Sequence, residues 1–88
     1  MTHKPTHHPQ IAARVFSDEA VLIDPTKNIV RMLNPVGSRI WELADGTRTL
    51  DQIAVVLVDE FHVDVDQATA SVETFVEELV SKNLLTWR

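Results

Sequence analysis

The segment Ile29–Thr49, IVRMLNPVGSRIWELADGTRT, constrains this chain more than any other. An apolar run, Ile29–Leu33, leads directly into Asn34-Pro35, a pair that reads as the N-cap and first turn of a helix. Proline suits the first helical position because its missing N–H would have no helical partner there. Asp45-Gly46 then stops that helix, and Thr49 opens the next. Elements joined so closely leave no depth for an enclosed active site. They predict a small scaffold offering an edge and a groove, and therefore binding rather than catalysis.

Upstream, Ala20–Asp24 (AVLID) and Ile29–Leu33 (IVRML) are short apolar runs separated by Pro25-Thr26-Lys27-Asn28. Two such runs around a Pro/Asn turn predict a β-hairpin. Arg14–Phe16 is expected as a further short strand, with Ser17-Asp18-Glu19 as the turn between them. Both faces of the hairpin carry apolar side chains, so each needs some cover. Residues 1–11, rich in Thr, Pro and His, are expected to be a flexible tail ahead of a domain over residues 12–88.

Three helices follow. The first is expected over Pro35–Ala44, with Val36, Ile40, Leu43 and Ala44 at helical spacing and Trp41 beside them. The second, Leu50–Phe61, has a Thr49/Gln52 capping box and an unbroken apolar stripe of Leu50, Ile53, Ala54, Leu57, Val58 and Phe61. The third, Val65–Lys82, is capped by Asp64 with Gln67 completing a second box. On a wheel of about 100° per residue, Ala68, Phe75 and Leu79 form its centre with Val72 alongside. Thr69, Val76 and Val80 extend that face to one side only. Leu84–Trp87 then folds back as a short extended end.

With 88 residues and no cysteine, the chain is one domain without disulfides, thiolate metal sites or Cys nucleophiles. No run approaches the roughly 20 apolar residues needed to span a bilayer, and the N-terminus lacks the apolar stretch of a signal peptide. A cytoplasmic protein with no membrane partner is expected. The formal net charge is −5, and it is concentrated. Between Glu60 and Lys82 six acids (Glu60, Asp64, Asp66, Glu73, Glu77, Glu78) face one lysine. A nucleic-acid binder needs the opposite sign on its docking element, so no nucleic acid partner is expected.

The side chains that invite a chemical role have plainer explanations. His3, His7 and His8 have no fourth metal ligand nearby, and the tail is expected to leave them solvated, with no metal. His62 closes the second helix, where a cation suits the helix dipole. Asp64 and Asp66 are explained by capping, with no His, Ser or Lys placed to complete a catalytic group. Two glycines are too few for a phosphate-cradling loop, so no cofactor is expected. Trp41 is expected in the core, whereas Trp87 closes one end of it or stays exposed.

Taken in order, these residues resemble the PqqD-like family, whose fold is the precursor peptide recognition element of ribosomally made natural products. The resemblance covers residues 14–85. It is carried by Leu33-Asn34, by Gly37 and Ile40, by Asp45-Gly46 with Thr47, Arg48 and Thr49, by Leu50 and Ile53, and by Glu78-Leu79 and Leu84-Leu85. It implies an α+β, winged helix-turn-helix-like fold, with a three-stranded antiparallel sheet packed on three helices. It further implies a non-catalytic protein that binds the leader of a precursor peptide as an added strand. That leader is then presented to a modifying enzyme, often a radical SAM protein. Members from pyrroloquinoline quinone operons typically carry a Tyr-Pro-Glu-Gly-like turn and a Cys before the Asp-Gly. This chain has Asp24-Pro25-Thr26-Lys27 and Ala44 at those places, so another peptide-modification cluster is at least as well matched.

The residues themselves fit that binding mode. A sheet edge presents unpaired N–H and C=O groups that template an incoming strand. The expected peptide site is Ile29, Val30, Arg31, Met32 and Leu33, faced by Thr69, Val72, Glu73, Val76 and Val80 on the third helix. Glu73 is expected to select a basic leader residue. On this placement, Val76→Asp weakens binding and leaves the fold intact. Two other readings compete: a winged-helix DNA-binding module, disfavoured by Glu73, Glu77 and Glu78, and a homodimer or regulatory module that pairs through the same edge.

Overall fold

The computed structural model describes residues 3–88. Strands β1 (Pro5–His7), β2 (Ala12–Phe16), β3 (Glu19–Asp24) and β4 (Ile29–Met32) precede helices α1 (Pro35–Leu43), α2 (Leu50–Phe61) and α3 (Val65–Ser81), and strand β5 (Leu85–Trp87) ends the chain. β2, β3 and β4 form an antiparallel sheet in that order, leaving β2 and β4 as edges. The fold is α+β, with this three-stranded sheet and three helices around one core.

The expected caps set the helix starts. The Asn34 side chain accepts the Gly37 N–H at 2.7 Å, and Pro35 occupies the first turn. Thr49 and Gln52 form a full capping box. At α3, Asp64 accepts the Gln67 N–H at 2.8 Å, but the return bond of a full box is not made. His62 ends α2 in the left-handed conformation, with φ 56°. The core is built from Leu22, Ile40, Trp41, Ile53, Leu57, Val72, Val76, Leu79 and Leu85, with α3 packed along α2. Buried Ser38 ties sheet to helix, since its hydroxyl accepts the Ala20 N–H at 2.6 Å and donates to the Leu33 carbonyl at 3.2 Å.

The expected tail is largely structured. β1 pairs antiparallel with β5, matching Pro5 with Trp87 and His7 with Leu85. Pro5 is buried, and its carbonyl accepts the Gly46 N–H at 2.9 Å. His7 is not solvated: its ring stacks on Trp41 with centroids 3.8 Å apart, and its Nε2 lies 2.7 Å from the Trp41 carbonyl. Such a stack and hydrogen bond contribute about 1 kcal/mol each, enough to order a short strand that has no apolar run of its own. Met1 and Thr2, the first residues of the expected tail, lie outside the described residues. No described helix is long and apolar enough to cross a membrane.

Candidate functional site

β4 is the edge strand beside α3, and the pairing register states which of its groups are free. Leu33 donates its N–H to the Ala20 carbonyl at 2.9 Å, and the ladder continues as Val21–Met32, Leu22–Arg31 and Ile23–Val30. Hydrogen-bonded and non-bonded pairs alternate along an antiparallel ladder. Arg31 therefore spends its backbone groups on β3 and Leu33 its N–H, with the Leu33 carbonyl held by Ser38, while Val30 and Met32 turn theirs to the open edge. Side chains alternate the other way: Arg31 and Leu33 face the helices, while Val30 and Met32 stand on the outer face, 66% and 68% exposed.

A groove of about 560 Å³ runs beside this edge. Its walls are Arg31, Met32 and Leu33 on one side, Ala70, Ser71, Thr74, Phe75, Glu78 and Leu79 of α3 on the other, and Asn34, Val36, Gly37 and Ile40 at one end. Small side chains at 70, 71 and 74 keep α3 low and leave room for a chain to lie against it. Gly37 sets the approach of α1, because a Cβ there would come within 2.9 Å of the Phe75 ring. The other edge, β2, has no such wall: all five of its residues are exposed. Of the two edges of this sheet, β4 is the one with a groove beside it among the described residues.

The structure places the ten expected site residues in different surroundings. Arg31, Met32 and Leu33 line the groove, with Ile29 and Val30 exposed along the same strand. The α3 set does not join them. Val72 and Val76 are 0% exposed and belong to the core. Glu73 lies on another flank, lining a separate cavity of about 370 Å³ with His3, Thr49, Leu50, Asp51 and Trp87. Thr69 and Val80 are half-buried and line neither. The wheel assigned the apolar extension of α3 to a peptide, but Val72 and Val76 are buried in the core, where α3 packs against α2 and β5. The groove-facing arc of Ala70, Ser71, Thr74 and Glu78 lacked an apolar signal. Its readable trace was the run of small residues, together with Gly37 on the helix opposite.

The groove is apolar at Val36, Ile40 and Phe75 and charged at Arg31 and Glu78. Glu78 holds Lys82 at 2.8 Å, while Arg31 Nη1 approaches the same carboxylate oxygen only to 3.9 Å. The Lys82 hydrogen bond and charge, with a smaller share from Arg31, hold the Glu78 carboxyl below its usual range. At the far end of β4, Asp24 closes the hairpin turn. It accepts the Thr26 hydroxyl at 2.6 Å and the Thr26 and Lys27 N–H groups, and these bonds, the hydroxyl first, lower its pKa. The outer face of the sheet is itself apolar and open, with Ile23 beside Val30 and Val21 beside Met32.

Among the described residues, no group of three or more His, Asp or Glu side chains is placed to hold a metal ion. Asp64 caps α3, and Trp41 is buried as expected, whereas Trp87 is 40% exposed.

Known structures match this architecture. TbiB1 in complex with the TbiA(beta) leader peptide is 26% identical, with a TM-score of 0.83 over 91% of this chain and 93% of that one. Lasso peptide synthetase B1 complexed with the leader peptide shares the fold at 18% identity, with a TM-score of 0.84 over 94% of this chain and 98% of that one. The heterocyclase TruD contains the same fold as 12% of its chain, at 17% identity and a TM-score of 0.69 over 98% of this one. No curated protein matches the chain. The family model of coenzyme PQQ synthesis protein D spans residues 19–85, from the start of β3 into β5, and the chain belongs to that PqqD family.

Proposed function

We propose that this chain binds the leader segment of a ribosomally made precursor peptide as a strand added to β4, and presents it to a modifying enzyme. The observation that carries this reading is the free edge at Val30 and Met32 standing directly over the groove against α3. Main-chain hydrogen bonds supply affinity in such an arrangement, and alternate side chains entering the groove supply specificity. TbiB1, a quarter identical and matched over nearly its whole length, is a leader-peptide complex, which supports the same occupant here.

The part played by the chain is capture, not catalysis. A flexible leader must be ordered as it binds, so affinity is moderate. Once added, the leader extends the outer sheet face beyond Ile23, Val30 and Met32, and that widened apolar surface suits a modifying enzyme, a radical SAM protein being one such partner. The setting is cytoplasmic, where precursor peptides are made. Duplex DNA is a poorer occupant, because α3 would bring Glu73, Glu77 and Glu78 toward phosphates.

The test is a titration of isotope-labelled protein with synthetic leaders of candidate precursor peptides. Amide shifts are expected along residues 29–33 and along Ala70–Glu78. Shifts confined to α2 or to β2 contradict the proposal.

A further inference from the structure

Arg31 is shared by two cavities. Beyond it, toward the β3–β4 turn, lies a pocket of about 250 Å³, floored by Leu22 and Leu84 and rimmed by Lys27, Arg31 and Lys82. The chain has 8 Lys and Arg residues and a net charge of −5, so three cations around one small pocket run against its overall balance. The carboxylate in the lining, Asp24, is already engaged by Thr26 and Lys27 of its own turn. Lys82 is held by Glu78, and Arg31 stands off from that carboxylate at 3.9 Å. Arg31 Nε is buried and has no hydrogen-bond partner among the described residues. A buried donor left without an acceptor is costly, so its presence calls for an explanation.

We propose that this pocket receives the carboxylate of an Asp or Glu side chain on the bound strand, two residues from an apolar side chain that enters the larger groove. The inference rests on strand addition at β4 and names what that strand must carry. Arg31 and Leu33 are successive helix-facing positions, and side chains on one face of a strand recur every second residue. An incoming strand beside β4 therefore sets one inward side chain next to Arg31. The adjacent inward side chain falls next to Leu33, where Val36, Ile40 and Phe75 wait. A carboxylate accepts from guanidinium in a fork geometry that an ammonium cannot match, so Arg31 is the selecting group and Lys27 and Lys82 supply field. Glu78 keeps Lys82 when the guanidinium turns to the newcomer.

The probe is a displayed library of short random peptides, selected on the wild-type protein and on Arg31→Met. Wild-type winners are expected to share an Asp or Glu two positions from an apolar residue, and Arg31→Met winners to keep the apolar residue alone. One wild-type winner, synthesised with an amidated C-terminus so that only its side chain offers a carboxylate, should bind about tenfold more weakly after Glu→Gln. That comparison uses unaltered protein, so it stands whether or not Arg31→Met folds. Winners that shift the Val30 and Met32 amides without any acid preference overturn the inference and leave strand addition standing. An acid preference that persists on folded Arg31→Met also overturns it. Winners that shift amides elsewhere remove strand addition, and the inference with it.

Discussion

Replacing Met32 by proline separates the binding edge from the fold. The Met32 N–H points to the open edge and its side chain is 68% exposed, so proline removes a donor that the free protein does not use. Edge strands tolerate proline when the missing N–H faces outward. An added leader strand loses one hydrogen bond, worth about 1 kcal/mol, and leaves its own carbonyl unpaired against the pyrrolidine ring at a further cost of about 1–2 kcal/mol. The sum, about 2–3 kcal/mol, weakens binding about thirty- to a hundred-and-fiftyfold. Leu33→Pro is the control, because its N–H bonds the Ala20 carbonyl at 2.9 Å and its loss strikes the sheet itself. Calorimetric titration with the leader, alongside urea unfolding, reads both effects. Met32→Pro that folds normally and binds like wild type refutes the edge assignment. Met32→Pro that unfolds refutes the register argument behind it.

Three further outcomes follow from the same geometry. Val76→Asp places a charge at a position 0% exposed, so it should abolish the cooperative thermal transition; a normal melting curve with weakened peptide binding would restore Val76 to the groove. Ala70→Trp fills the groove from an exposed position and should cut leader affinity at least about tenfold, with stability within about 0.5 kcal/mol of wild type. Binding that survives the bulky side chain would move the site off α3. Asp24, Asp45, Glu60 and Glu78 all have lowered pKa values from hydrogen bonds to Thr26, Thr47, Arg39 and Lys82 respectively. Their folded-state values lie below the unfolded ones. Their contribution is therefore complete above the ordinary carboxylate range and fades as pH falls through the lowered values. Urea unfolding should show stability declining from about pH 5 to about pH 3, and a rise over that interval would contradict the sign.

Much of the fold was legible because its signals are local. Asn34, Thr49 and Asp64 announce the helix starts, and the apolar runs on either side of Pro25–Asn28 announce the hairpin that makes β4 an edge. Two features were not local. β1 has no strand pattern of its own; it exists because His7 finds Trp41 and Pro5 finds Gly46, contacts that only the closed fold brings together. The groove-facing side of α3 was missed because a wheel gives angles and not neighbours. Val72 and Val76 are apolar for the core, and the groove needs the opposite property at Ala70, Ser71 and Thr74, which is low bulk. Arg31 was expected simply as one residue of the peptide-binding strand. Its Nε, without a partner among the described residues, stands out only once Glu78, Lys82 and Asp24 are seen to be committed elsewhere.

Amide hydrogen exchange at β4, with and without leader, tests strand addition most directly. In the free protein the Val30 and Met32 amides should exchange quickly, and those of Arg31 and Leu33, bonded to β3, slowly. Leader binding should protect Val30 and Met32 and leave the other two little changed. A bound leader that leaves Val30 and Met32 exchanging as before, or that protects β2 instead, would contradict the account.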